Sequence, residues 1–289
     1  MTVYSQYKSE KARNRAFVVY DSLLSRWPVP YETRYVDTEF GSTHVVTSGP
    51  ADAPPLVLLA GASANATSWI LNIAALADPY RVYALDTIGD LGKSAGTRPK
   101  YASGDHTRWL NEVFERLDLA AARVGGRSLG GWMAFQFAMA FPNRVERLAL
   151  LAPAFLQKMR TVFIVRGMFS MFFPRAVVIR SLSRYMTSAR SPGWPDWMAD
   201  AFVTAWKTKR PSMSSGFPAV IRDDELSGLE APTLLLLGSD EVMYDAAAAA
   251  ARVRSVAPRI QVEIIPDAGH VFAIEQPEAT NRALLEFFG

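Results

Sequence analysis

The stretch from Ala121 to Phe141 constrains this chain more than any other. It reads as a short strand (Ala121 to Gly125), a turn Gly126-Arg127-Ser128-Leu129-Gly130, and a helix from Gly131 to Phe141. A serine bracketed by glycines between a strand and a helix has the context of a nucleophile elbow. The turn must be sharp and its backbone strained, so that the hydroxyl stands above the sheet edge. Gly126 and Gly130 leave room for strand and helix to approach each other there. The N–H of Leu129 then falls at the helix start, where a free donor and the helix dipole both favour an oxyanion. Five residues are a short pattern, so the rest of the chain must decide whether Ser128 reacts.

A strand, helix, strand rhythm surrounds that turn. Thr33 to Phe40 and Thr43 to Thr47 alternate enough to form a hairpin turning at Gly41-Ser42. Pro55 to Leu59 is a continuous apolar run, as expected of a strand buried on both faces. A small-residue loop (Gly61 to Asn65), a helical stretch from Thr67 to Leu76, the strand Arg81 to Asp86 and a helix from about Asp105 to Leu117 follow. After the elbow comes the strand Val145 to Leu151. The rhythm then stops and resumes with the strand Pro232 to Gly238, an Ala-rich helix from Asp245 to Val256, the strand Gln261 to Ile265, and a helix from Pro277 to Phe288. Strands alternating with helices at this spacing imply βαβ units and a parallel sheet. Residues 155–230 carry Met, Phe, Trp and Pro in helix-like stretches without a clear strand, so they read as an insertion. Core packing of helices is expected to account for most of those large side chains. Ahead of the sheet, residues 5–26 form an amphipathic helix expected to pack on the body and do no more. The expected division is therefore 1–30 as that helix, 31–154 with 231–289 as the α/β core, and 155–230 as the insertion.

Composition excludes several function classes. There is no cysteine among the 289 residues, which removes disulfides, thiol catalysis and Cys-based metal sites. The N-terminal segment is polar and has no apolar core of a signal peptide, so a cytoplasmic location is expected. The greasiest run, Thr161 to Leu182, is interrupted by Arg166, Pro174, Arg175 and Arg180 and makes a poor membrane span; no stable insertion is expected. The net charge of +3 is uneven: residues 155–230 hold 11 Lys and Arg against 6 Asp and Glu, while the remainder holds 20 against 22. No compact basic run accompanies that surplus, so nucleic acid is not an expected partner.

A serine hydroxyl is a weak nucleophile, which needs a base that is itself oriented by an acid. Three histidines compete for the role of base. His44 sits in an early strand and reads as structural. His106, beside Ser103, Asp105 and Thr107, reads as a helix-start residue. His270, in Asp267-Ala268-Gly269-His270-Val271, directly follows the last strand. Loops at the carboxyl edge of a parallel sheet are where open α/β folds bind ligands, and Ser128 lies on that edge too. His270 is therefore the base. The acid should come from another strand end, between serine and histidine in chain order. The loop after Leu237 supplies two adjacent carboxylates, Asp240 and Glu241, and either could orient His270.

With these pieces on the page, the chain resembles the α/β-hydrolase family from about Thr33 to the C-terminus, and within it a carboxylesterase-like subgroup. The resemblance implies a mostly parallel, eight-stranded sheet with a helical cap (155–230) inserted after the sixth strand. It matches Ala60-Gly61-Ala62 to the family's oxyanion loop, Gly126 to Gly130 to its elbow, Gly238 to Glu241 to its acid loop and Gly269-His270 to its histidine loop. In many relatives the acid falls three residues after the strand-end glycine, which selects Glu241 over Asp240. The implied catalytic set is Ser128, Glu241 and His270, with the backbone N–H groups of Ala62 and Leu129 as the oxyanion hole. Such chemistry requires no metal or cofactor. The expected substrate is a small-molecule ester of small to medium apolar character, cleaved through an acyl-enzyme. The same set could serve a C–C, lactone or amide hydrolase or a perhydrolase, and an inactive binding protein on this fold is a further alternative.

Two departures from the family pattern stand out. Ala60 occupies the position where the family usually has the histidine of its oxyanion loop, which removes a side-chain brace. Arg127 sits inside the elbow, where aromatic or bulky residues are usual. A charge at that depth is expected to pair with a carboxylate, Asp86 or the Asp240–Glu241 pair being the candidates.

Overall fold

The computed structural model describes residues 5–212 and 214–289; residues 1–4 of the N-terminal segment and Met213 of the insertion lie outside that description. Helix α1 (Glu10–Leu24) precedes the hairpin of β1 (Tyr31–Thr38) and β2 (Gly41–Ser48). Then follow β3 (Pro55–Leu59), a short helix α2 (Ile73–Leu76), β4 (Arg81–Leu85), α3 (Asp105–Arg116), β5 (Ala122–Arg127), α4 (Leu129–Ala140) and β6 (Val145–Leu151). Four helices come next: α5 (Thr161–Phe172), α6 (Ala176–Tyr185), α7 (Asp196–Thr208) and α8 (Asp223–Gly228). The chain closes with β7 (Thr233–Gly238), α9 (Ala246–Val256), β8 (Gln261–Ile265), α10 (Phe272–Glu275) and α11 (Pro277–Phe288).

The eight strands form one sheet in the order β1-β2-β4-β3-β5-β6-β7-β8. The β1–β2 and β2–β4 pairs are antiparallel and the other five are parallel, as the alternating rhythm implies. Side-chain alternation splits each central strand between two cores. Val57 and Leu59 of β3 join Trp109, Phe114, Phe135 and Phe137 on the face covered by α3 and α4. Leu56 and Leu58 join Trp69, Phe272, Leu284 and Phe288 on the opposite face. At the crossover between β3 and β5 the two strand ends and α4 nearly touch. A Cβ on Gly130 would meet the Ala60 carbonyl oxygen at 2.4 Å, and one on Gly126 would meet the Gly130 oxygen at 2.3 Å. These backbone approaches leave no room for a side chain, which is why the elbow needs glycine on both flanks.

Local differences from the sequence reading have physical causes. The hairpin turns at Glu39-Phe40 rather than Gly41-Ser42, because the Thr38 hydroxyl accepts from the Phe40 N–H and donates to the Gly41 carbonyl. Helix α1 starts at Glu10, where the Ser9 hydroxyl accepts the Ala12 N–H. The residues before it run extended instead, with Tyr7 bridging Lys209 at the end of α7. The stretch 67–76 breaks into a 3₁₀ turn (Ala66–Trp69) and α2 around Asn72, whose buried side chain is drawn away to the Ala273 carbonyl and Asn281. The insertion is also less of a core than expected. Val162, Val165, Phe169 and Phe172 present an exposed apolar face on α5, whereas Met198 of α7 is buried.

Candidate active site

The elbow serine is held in a conformation that few L-residues adopt. Ser128 has φ 49° and ψ −117°, the sort of local strain that persists only where surrounding structure enforces it. Its N–H donates to the Leu151 carbonyl at 2.8 Å, and its carbonyl accepts from Ala154 at 2.9 Å, so β6 and the chain beyond it grip the turn from both sides. The result aims the hydroxyl at the loop after β8. His270 Nε2 lies 3.0 Å from Ser128 Oγ. His270 Nδ1 lies 2.8 Å from Glu241 Oε2 and 3.1 Å from Oε1. The carboxylate fixes the tautomer by physical necessity: an ionised acid can only accept, so Nδ1 carries the proton and Nε2 is free to accept from the hydroxyl. Such a relay can remove the serine proton and hold the resulting imidazolium.

Three strand ends supply these groups, and each is fixed separately. Glu241, after β7, is buried and also accepts the Met243 N–H at 2.7 Å. The His270 loop is pinned by the N–H of His270 to the Met186 carbonyl and by Glu275, whose carboxylate accepts from Gly269 at 3.0 Å and Ser188 at 2.8 Å. Burial pushes the Glu275 carboxyl above its usual range, against the pull of those two donors. Asp240 does not reach His270; its Oδ2 accepts the Ser188 hydroxyl at 2.6 Å and ties the acid loop to the insertion.

The loop after β3 lies against the serine: a Cβ on Gly61 would stand 3.3 Å from Ser128 Cβ. Among the described residues, neither the Ala62 nor the Leu129 N–H donates to a protein acceptor. The loop does have a brace, from residues other than the missing histidine. Asp90 accepts the Ser63 N–H at 2.8 Å, and Lys209 Nζ bonds both Asp90 (2.9 Å) and the Ser63 hydroxyl (2.7 Å). Beneath it Asp86, fully buried, accepts from the N–H groups of Ala66 and Lys93 and from the Tyr20 hydroxyl. His44 sits 3.1 Å from the same carboxylate, a structural partner in that cluster and remote from Ser128 in role.

Arg127 departs from expectation. Neither Asp86 nor the Asp240–Glu241 pair takes it as a partner. Its Nη2 donates to Asn72 Oδ1 at 2.6 Å, and its guanidinium stacks 3.8 Å from the centroid of the Trp69 ring. The reason is alternation along β5: Gly125 and Arg127 face the side of Phe288 and Trp69, while the carboxylates proposed for it are already committed elsewhere.

Above the relay opens a cavity of about 330 Å³. Phe163, Leu182, Met186, Trp194 and Phe202 of the insertion line it. Ala16, Val19 and Leu23 of α1 line it as well, so the N-terminal helix does more than pack on the body. An amphipathic pattern alone does not name the surface a helix will face. Among the described residues, no cluster of three or more His, Asp or Glu side chains is arranged to hold a metal.

His106 lies in the first turn of α3, stacked on Tyr101 with ring centroids 4.9 Å apart, and lines no part of the cavity. Burial lowers its pKa from 6.5 to about 4. The unfolded chain therefore takes up a proton below pH 6.5 that the folded protein refuses until about pH 4. Stability must fall as pH drops through that window, by up to about 3 kcal/mol from this group. Urea unfolding at pH 7 and pH 4.5 should show a smaller loss for His106→Gln than for wild type; equal losses would remove His106 as the cause.

The family model for the alpha/beta hydrolase family matches residues 56–283. The chain belongs to that family. It is 34% identical to the carboxylesterase YbfK of Bacillus subtilis (strain 168), across 98% of this chain and 96% of that one. It is 36% identical to the uncharacterized carboxylesterase nap of the same organism, across 95% and 92%. The crystal structure of naproxen esterase (carboxylesterase NP) from Bacillus subtilis matches with a TM-score of 0.88 at 34% identity, covering 98% of this alpha/beta hydrolase and 100% of that chain.

Proposed function

We propose that this alpha/beta hydrolase cleaves carboxylic esters of small to medium apolar substrates through an acyl-enzyme on Ser128. The observation that carries the reading is the Ser128–His270–Glu241 relay at the floor of an apolar cavity. His270 Nε2 takes the proton from Oγ as the oxygen attacks the ester carbonyl, and Glu241 stabilises the imidazolium that forms. The N–H groups of Ala62 and Leu129 hold the oxyanion; losing one such donor costs about 3 kcal/mol of transition-state stabilisation. His270 then protonates the leaving alcohol. Water, activated by the same imidazole, frees the acid. Residues 155–230 act as a cap whose Phe, Trp and Met side chains select the acyl or alcohol group, with α1 completing the wall. Among the described residues no helix is long and apolar enough to cross a membrane.

A chain-length series of p-nitrophenyl esters tests it. The expected result is turnover of short and medium acyl chains, with kcat/KM falling as the chain outgrows the cavity. No turnover of any member, with hydrolysis of a vinylogous C–C substrate or an amide instead, would transfer the relay to a different bond.

A further inference from the structure

Arg127 has no role in the proton relay, yet it lies beside the nucleophile and lines the same cavity. Among the described residues it is the only Lys or Arg that does so. Its guanidinium is rigidly placed. Trp69 covers one face, and the one hydrogen bond it makes goes to Asn72, itself anchored to Asn281 at 2.8 Å and to the Ala273 carbonyl. The electrostatics are incomplete. Arg127 Nε is buried with no acceptor, and the hydroxyl of Ser68, another lining residue, is in the same condition. The surrounding carboxylates are spoken for: Glu241 by His270, Asp86 by backbone N–H groups and Tyr20, Asp90 by Lys209 and Ser63, Glu275 by Gly269 and Ser188. Burial lowers the guanidinium pKa to about 9, which leaves it charged at neutral pH. A cation held out of water with only a neutral acceptor and unpaired donors is costly. An anion entering from the cavity supplies what the protein withholds.

We propose that Arg127 is the binding site for a carboxylate carried by the substrate. The substrate is then an ester whose apolar chain ends in a carboxylate, such as a half-ester of a dicarboxylic acid. This specificity rests on the ester-hydrolase reading above. One feature favours a carboxylate over a phosphate: a single lining cation balances one negative charge, and the remaining wall is largely apolar.

The test pairs monomethyl esters of glutaric, adipic and suberic acid with methyl alkanoates of the same chain length, and follows methanol release. The readout is the ratio of kcat/KM for the charged ester to that for the neutral one. Wild type should favour the charged member, and Arg127→Met should cut the ratio tenfold or more, the scale of a lost charge-assisted hydrogen bond. Arg127→Lys should keep part of the preference. A preference found instead with acetate esters of ω-hydroxy acids, and lost in Arg127→Met, supports the same site with the carboxylate on the alcohol. An unchanged ratio, or equal losses on both esters, overturns the proposal and leaves Arg127 as a packing residue. Calorimetric titration with the free dicarboxylates gives a readout that needs no turnover: wild type should bind and Arg127→Met should bind at least tenfold more weakly. No binding by wild type also overturns it. A protein that binds dicarboxylates through Arg127 but hydrolyses none of the esters keeps the site and refutes the esterase reading.

Discussion

Replacing Ser128 by alanine is expected to lower kcat/KM on p-nitrophenyl butyrate by about four to six orders of magnitude, the range seen when a serine-hydrolase nucleophile is removed. The expectation follows from how isolated Oγ is. It is the one hydroxyl bonded to His270 Nε2, at 3.0 Å, and the nearby Ser63 hydroxyl is held by Lys209. The fold should tolerate the change, because alanine at φ 49° carries the same backbone strain as serine and the gripping bonds at this turn come from the main chain. Thermal unfolding within a few degrees of wild type would verify that. A fluorophosphonate probe should label wild type on the peptide containing Ser128 and leave Ser128→Ala unlabelled. Residual activity of more than about one per cent, or an adduct on another serine, would remove Ser128 from its proposed role.

The sheet was legible in the sequence because its signals are local. Four-leucine and other continuous apolar runs, such as Leu234 to Leu237, mark strands buried on both faces, and β6 and β8 have the bounds their patterns suggested. Ser128, His270 and the adjacent pair Asp240 and Glu241 could be nominated for a similar reason: each follows its own strand, and parallel strands deliver their carboxyl ends to one edge, while the choice of Glu241 within the pair came from the family resemblance. What stayed hidden depends on contacts between distant segments. The wall formed by Val19 and Leu23 requires knowing where α1 lands. The brace of Asp90, Ser63 and Lys209 joins residues as much as 146 positions apart. Arg127 was visibly anomalous, yet the rule that a buried charge finds a carboxylate pointed to partners that face other donors. On α5, apolar residues repeat around much of the helix, so neither pattern nor composition could separate the exposed Phe169 and Phe172 from the residues that roof the cavity.

The two adjacent acids should separate sharply in kinetics. Glu241→Gln is expected to reduce kcat by about three to four orders of magnitude, as loss of the orienting acid does when the hydrogen-bond geometry is otherwise preserved. Glutamine has nearly the same shape, so the effect comes from the hydrogen-bond roles. The Met243 N–H already donates to Oε1, which favours the amide oxygen there and turns the NH2 toward His270 Nδ1. A donor facing Nδ1 makes that nitrogen the acceptor and shifts the ring proton to Nε2. In that tautomer the imidazole can no longer accept from Ser128. Asp240→Asn should cost less than about tenfold, since an asparagine oxygen still accepts the Ser188 hydroxyl and the change lies outside the relay. Asp240→Ala goes further: it frees Ser188 and loosens the seat of the insertion on the acid loop, so it should raise KM more than it lowers kcat. A larger loss of kcat in Asp240→Asn than in Glu241→Gln would exchange the two acids. That outcome would require the acid loop to rearrange by one residue during turnover, breaking both the Ser188 and the Met243 bonds at once.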